Sequence, residues 1–322
     1  EILPQKLQNR EIRFIDAISE AIEISMKNHP NLVLMGQDIA EYGGAFKITE
    51  GFVEKFGKKR VRNTPLCEAA IVGSGLGLSI NGYKSMVEMQ FADFVTEGFN
   101  QIINNLAKTH YRWNQNADVV VRMPTGAGTG AGPFHSQSNE AWFTKTPGLK
   151  IAYPAFPDDA KGLLIQSFED PNPVLFFEHK KLYRSLKGNV PEGFYTTPFG
   201  KARKVKEGNE LTIITYGLGV HIALEFAEKN PEISLEIVDL RTLIPLDTET
   251  IYKSVKKCNK VIILHEDTLT CGFGAELSAL ISEHCFEDLD APILRVASMD
   301  TPIPFNKKLE DQFMPNEELA EA

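Results

Sequence analysis

Short apolar runs of strand length alternate along this chain with longer segments whose apolar residues recur at helical spacing. Phe14, Ile15, Ile18, Ala21, Ile22 and Met26 trace one helical face, and Leu32–Met35 follows as a buried-strand run. Glu68–Ile80 reads as a helix softened by Gly73, Gly75 and Gly77, and Met86–Met89 as a strand. Phe94, Val95, Phe99, Ile102, Ile103 and Leu106 mark a second amphipathic helix, and Val119–Val121 is β-branched and strand-like. Ile151–Tyr153, a helix over Ala160–Phe168, and Val174–Phe177 continue the pattern. It lapses over 187–209, a stretch of Gly, Pro, Thr and Lys that reads as a linker. It resumes with strands at Leu211–Tyr216, Leu235–Leu240, Val261–Leu264 and Ile293–Val296 and helices at Val220–Lys229 and Ala275–Cys285. Such alternation implies right-handed crossovers and mostly parallel sheets. The expectation is an α/β protein with two mostly parallel-sheet domains, 1–186 and 210–322, joined by 187–209. Open parallel sheets bind ligands beyond the carboxyl ends of their strands, so chemistry is expected in the loops that follow strands.

The charge balance narrows the function. A formal net charge of −9 argues against a nucleic-acid partner, which needs a basic face. No apolar run is long enough to span a membrane, and Glu1–Arg13 lacks the apolar centre of a secretory signal. Four scattered cysteines, with no Cys-x-x-Cys pair, fit a reducing compartment: the cytoplasm of a bacterium or the matrix of a mitochondrion. The start without Met leaves a processed chain, a fragment and an upstream fusion all open. No Gly-x-Gly-x-x-Gly, complete phosphate loop, paired-His zinc helix or Gly-x-Ser-x-Gly elbow is present. Also missing is the Gly-Asp-Gly segment with which thiamine enzymes grip magnesium and diphosphate.

Four segments remain: Asn63-Thr64-Pro65-Leu66-Cys67-Glu68, Glu88–Phe94, Gly132-Pro133-Phe134-His135-Ser136-Gln137-Ser138, and Glu169-Asp170-Pro171-Asn172-Pro173. In this order they resemble the beta subunits of thiamine-dependent 2-oxo acid dehydrogenases. The resemblance runs on through Asp239–Pro245 and His265-Glu266, and so covers Phe14 to Pro304. Asn-Thr-Pro-Leu-Cys-Glu is most similar to the branched-chain enzymes, while Glu41–Lys47 is similar to pyruvate and acetoin types as well. The resemblance implies a transketolase-like pyrimidine-binding domain followed by a transketolase C-terminal domain. It implies thiamine diphosphate at the junction with an alpha subunit, or a fused alpha domain, which supplies the missing magnesium and diphosphate grip. It further implies a heterotetramer, a lipoyl acyltransferase core as docking partner, and a 2-oxo acid substrate such as 3-methyl-2-oxobutanoate.

Residue roles follow from that resemblance. Thiamine reacts once its thiazolium carbon loses a proton to the cofactor's own imino nitrogen, and a carboxylic acid on the pyrimidine ring promotes that tautomer. Glu68, opening a helix just after a strand, is the expected acid; an ordinary first-turn Glu meeting the helix dipole is the bland alternative. Leu66, Gln90 and Phe94 match cofactor-lining positions, although strand-end or helix packing would also explain them. Phe94 stands where some branched-chain enzymes have Tyr. His135, after a glycine-rich loop, is expected near the reacting centre, as a group able to move protons near neutrality. Asp170 and Asn172, with carbonyls of Ala117, Val119, Val120 and Ser167, match a potassium site; Asp-Pro-Asn-Pro is equally an ordinary turn. Arg241, His265 and Glu266 read as residues of the domain interface. The rivals are the pyruvate or acetoin subunit, a transketolase-type transfer enzyme disfavoured by the missing diphosphate segment, and a non-catalytic assembly subunit.

Overall fold

A computed structural model of the chain describes residues 9–315; the polar start before Asn9 and the acidic tail Asn316–Ala322, expected to be a solvated face, lie outside them. The strands, in chain order, are β1 (Asn9–Arg13), β2 (Leu32–Gly36), β3 (Val61–Asn63), β4 (Lys84–Glu88), β5 (Val119–Thr125), β6 (Lys150–Ala152) and β7 (Val174–His179). They continue as β8 (Lys187–Pro191), β9 (Arg203–Lys206), β10 (Leu211–Thr215), β11 (Leu235–Asp239), β12 (Thr242–Ile244), β13 (Val261–Thr268) and β14 (Leu294–Ser298). A seven-stranded sheet has the order β12-β6-β7-β5-β4-β2-β3, and a five-stranded sheet the order β14-β13-β10-β11-β9. Within the large sheet β3, β2, β4, β5, β7 and β6 run parallel.

The large sheet is covered on both faces, so its central strands are apolar throughout rather than alternating. Val33, Met35, Val87, Val119, Val121 and Leu175 face one core; Leu32, Leu34, Met86, Val120 and Phe176 face the other. Helix Phe14–Asn28 presents the face read from its periodicity, with Phe14, Ile18, Ala21, Ile22 and Met26 fully buried. The Phe94 helix is longer than its apolar pattern. A 3-10 turn, an α segment, a π segment at Gln101–Leu106 and a last α segment run without a break from Ala92 to Trp113. π segments are rare and often accompany functional sites.

The stretch 187–209 is not a plain linker. Lys187–Pro191 pairs antiparallel with β1, and Arg203–Lys206 closes one edge of the small sheet against β11. Both strands have a solvent side, and a strand of four or five residues with one wet face carries little apolar signal. The second block also reaches into the first. β12 lies beyond β11 in the chain, yet pairs antiparallel with β6 and completes the large sheet. One apolar core therefore runs through both domains, joining Val121, Tyr153 and Phe177 to Ile214, Tyr216, Leu243 and Phe273.

Candidate active site

The loops at the carboxyl ends of the parallel strands converge, as an open α/β sheet requires. The loop after β3 is tied to the end of β2 by the bond from Thr64 N–H to the Gly36 carbonyl, and Asn63 Oδ1 accepts from Ala40 N–H. That pairing sets Glu68, first residue of helix Glu68–Ile80, beside Gln37. Gln37 Nε2 donates to Glu68 Oε1 at 2.8 Å in a buried contact. Glu68 is 9% exposed, whereas Leu66, two residues before it, is 80% exposed. A leucine that finds no cover in its own chain does not fit the strand-end packing alternative.

The loop after β4 and the loop after β5 meet in a cluster of rings. The Phe91 and Phe94 centroids lie 5.7 Å apart, and the His135 ring stands edge-on to both, at 4.8 Å from Phe91 and 5.4 Å from Phe94. Edge-on aromatic contacts of this kind fix ring orientation and contribute about 0.5–1.5 kcal/mol each. Phe94 and His135 are half-buried, and the His135 ring nitrogens make no hydrogen bond among the described residues. The His135 loop itself is held by Asp93, whose Oδ1 accepts from Gln137 N–H and Gln137 Nε2 at 3.1 and 2.9 Å. Thr125 Oγ1 donates to the Gln137 carbonyl, and Asn139 Nδ2 to the Ala92 carbonyl. Gln90, next to Phe91, is half-buried at the same strand end.

Beneath these loops lies a charged layer. Fully buried Arg122 on β5 bridges Glu88 on β4 at 2.5 Å and Glu178 on β7 through two bonds of 2.6 Å. Burial pushes the Glu88 carboxyl up, against the pull of Arg122. Beside it, His179 Nε2 and Glu266 Oε2 are 2.5 Å apart. Gly126, at φ +91°, sits so close to this ring that a Cβ would fall 2.1 Å from His179 Nε2. Lys180 donates to the Gly126 carbonyl at 2.7 Å, and burial pushes its ammonium down to about 8. Glu266 is an interface residue, as expected, and so is Arg241, whose guanidinium meets Asp159 at 2.9 Å. Buried His265 stacks on Tyr216, and among the described residues neither of its ring nitrogens has a hydrogen-bond partner.

The structure thus brings Glu68, Leu66, Gln90, Phe94 and His135 to one edge of one sheet. The donor set fits a thiamine pyrimidine ring on observations independent of the resemblance. One carboxylate is buried with a single oxygen committed to Gln37. An aromatic wall stands on the neighbouring loop, and an apolar side chain is left uncovered. The potassium residues behave otherwise. Asp170 Oδ1 accepts from Asn172 N–H and Nδ2, and its other oxygen pairs with the Lys150 ammonium. The Ala117 carbonyl accepts from Val119 N–H, and the Ser167 hydroxyl donates to Leu163. As arranged, both Asp170 oxygens are engaged, by Asn172 and by the Lys150 ammonium, and no step is derived through potassium. Among the described residues no group of three or more His, Cys, Asp or Glu could hold a metal ion. All four cysteines are free thiols, and no described helix is long and apolar enough to cross a membrane.

Gln37, Phe91 and Asp93 were not picked out from sequence. All three follow strands, so the strand-end rule could have flagged them; Phe91 and Asp93 also lie within the quoted segment Glu88–Phe94, whereas nothing in the spelling around Gln37 distinguishes it.

Comparison with known proteins agrees with this layout. Residues 10–185 match the family model for the transketolase pyrimidine-binding domain, and residues 200–319 that for the transketolase C-terminal domain. The chain is 47% identical over 314 residues to the 2-oxoisovalerate dehydrogenase subunit beta of Bacillus subtilis (strain 168), covering 96% of each chain. It is 44% identical over 303 residues to the mitochondrial subunit of that name in Dictyostelium discoideum, covering 92% of this chain and 82% of that one. The acetoin:2,6-dichlorophenolindophenol oxidoreductase subunit beta of Bacillus subtilis (strain 168) is 40% identical, with 95% and 94% covered. Among solved structures, a split-gene transketolase described as an inactive beta4 tetramer superposes with a TM-score of 0.75 at 22% identity over 96% of each chain, a likeness of fold.

Proposed function

Because this chain belongs to the family of 2-oxo acid dehydrogenase beta subunits, built from a transketolase pyrimidine-binding domain and a transketolase C-terminal domain, we propose that it is the subunit that activates thiamine diphosphate for oxidative decarboxylation of branched-chain 2-oxo acids. The observation that carries this reading is Glu68. It is a buried carboxylate at a strand-end edge, with Oε1 held by Gln37 and Oε2 left for a ligand.

Thiamine diphosphate, when bound, supplies a carbon nucleophile and an electron sink for loss of carbon dioxide. Everything else falls to the polypeptide. Glu68 would share a proton between Oε2 and a pyrimidine nitrogen, while the Gln37 amide fixes the carboxyl plane. Phe94 would offer a ring to the flat pyrimidine, and Leu66 and Gln90 would line it. His135, standing edge-on between Phe91 and Phe94 with ring nitrogens that make no hydrogen bond among the described residues, is placed to give or take a proton during acyl transfer to a lipoyl group. The alpha polypeptide holds magnesium and the diphosphate, covers Leu66 and completes the substrate pocket. A lipoyl acyltransferase core takes the acyl group.

The acetoin relative supports a second reading, in which the same site serves a smaller substrate. Co-purified alpha and beta chains assayed on 3-methyl-2-oxobutanoate, pyruvate and acetoin distinguish the two. The branched-chain reading expects kcat/KM for 3-methyl-2-oxobutanoate to exceed the others by about tenfold or more, the discrimination a few methylenes can supply. Equal rates on all three would sink it.

A further inference from the structure

The glycine-rich stretch that leads into His135 is an unusual place for a rigid support. Gly126, Gly128, Gly130 and Gly132 all have positive φ, from +70° to +91°. Alternating left-handed residues turn successive backbone N–H groups toward one side and create a concavity for an anion. Two carboxylates from the C-terminal domain occupy it. Glu266 Oε1 accepts from Ala127 N–H at 2.6 Å and from Ser138 Oγ at 3.2 Å. Glu310, in the short helix Lys307–Phe313, accepts from Gly128 N–H at 2.8 Å and from Gly130 N–H at 3.0 and 3.1 Å. Glu310 is 2% exposed although its neighbours Leu309 and Asp311 are exposed; with Phe313 it forms the inward face of the helix. The Phe305 ring covers Gly132, where a Cβ would fall 2.2 Å from the ring.

We infer that Glu310 and Glu266 are positioning residues for His135: the C-terminal domain holds the catalytic loop of the first domain through a carboxylate clamp on its backbone amides. A loop with four left-handed glycines has a large conformational freedom to lose on ordering. The side chains on the loop's far end are fixed by Asp93. The near end, residues 127–130, is fixed by the two carboxylates and by the Lys180 contact to Gly126. Between the two anchors His135 is set against Phe91 and Phe94. Removing the clamp frees the near end, and His135 then samples orientations away from the rings. The role assigned to His135 rests on the function proposed above; the clamp itself rests on geometry alone.

The test uses the beta chain assembled with its alpha partner, as wild type, Glu310→Ala, Glu310→Gln and the surface control Lys308→Ala. Amide hydrogen exchange over residues 126–135 should speed up about tenfold or more in Glu310→Ala, the effect of losing hydrogen bonds to a charged acceptor. kcat should fall about tenfold while KM for the 2-oxo acid stays within about twofold, because orientation rather than binding is lost. Glu310→Gln, which keeps one acceptor oxygen, should fall between, and Lys308→Ala should match wild type. Unchanged exchange at 126–135 in Glu310→Ala would overturn the clamp. So would a rise spread over the whole C-terminal domain, or a freed loop with kcat unchanged. If wild-type enzyme decarboxylates no 2-oxo acid, the proposed function fails, and the exchange measurement decides the clamp on its own.

Discussion

Glu68 and Gln37 are separated by 31 positions and meet only because β2 and β3 are neighbours in the sheet. That is why one was legible in the sequence and the other was not. Glu68 lies inside a run of spelled residues, Asn63 to Glu68, whose resemblance to a family names it. Gln37 follows an apolar strand with nothing local to mark it, and its importance is a property of strand order. The pairing has a consequence. With Gln37 replaced by Leu, Glu68 Oε1 loses its donor and the carboxyl plane is free to turn. A hydrogen bond to a carboxylate contributes about 1.5–3 kcal/mol, so decarboxylation by a Gln37→Leu subunit should fall about tenfold or more, and its melting temperature should drop by several degrees. A Gln37→Leu enzyme at wild-type rate would mean that the amide does not orient Glu68. His135 was legible for the same reason as Glu68, and Glu310 was hidden for the same reason as Gln37. Its partners are backbone amides 180 and 182 positions away, and an amide leaves no trace in residue type.

At the scale of elements, long apolar periods were read well and short ones poorly. Helix Glu68–Ile80 begins and ends as expected, and the central strands of the large sheet fall within a few residues of their apolar runs. Helix Thr248–Cys258 was missed, although Ile251, Ser254, Val255 and Cys258 line its buried face. Only part of that face is apolar, and the surrounding lysines and glutamates hide the period. β12 was missed as a strand because three residues carry no period at all; its role in the first domain's sheet comes from topology. The turn before it brings a charge cluster to the domain interface. Asp239 at the end of β11 is fully buried with Oδ2 unpartnered among the described residues, near Asp159, Arg241 and Arg203. Burial, and then Asp159, push its carboxyl up to about 7. An unfolded Asp titrates near about 4. The folded value is the higher one, so the folded state binds the extra proton; the cost of charging Asp239 is absent below about pH 4 and complete above about pH 7. Asp239→Asn keeps an acceptor for the Arg241 N–H and removes that cost. Its melting temperature relative to wild type should therefore rise between pH 5 and pH 8. A difference that stays flat or shrinks over that range would show that the two arginines already balance the charge.

Under the proposed function the whole molecule is half of a site. Its large sheet gathers a buried carboxylate, an aromatic wall and a histidine on one edge, and the second domain contributes a strand to that sheet and a clamp to that loop. Among the described residues nothing at this edge resembles a diphosphate grip, and Leu66 stands uncovered beside Glu68. The fold class and the two-block organisation were legible because alternation is a long-range pattern that survives single residues. The dependence of one domain on the other was not, since the contacts that carry it join residues far apart in the chain. The central claim is that Glu68 of this chain activates thiamine diphosphate held by another polypeptide. The direct measurement is the rate of carbon dioxide release from 3-methyl-2-oxobutanoate by wild-type and Glu68→Gln beta chains, each assembled with the same alpha chain and saturated with thiamine diphosphate and magnesium. Loss of a general acid costs about a hundredfold or more, so the Glu68→Gln enzyme should fall by at least that factor while assembling normally. Release at the wild-type rate would contradict the account.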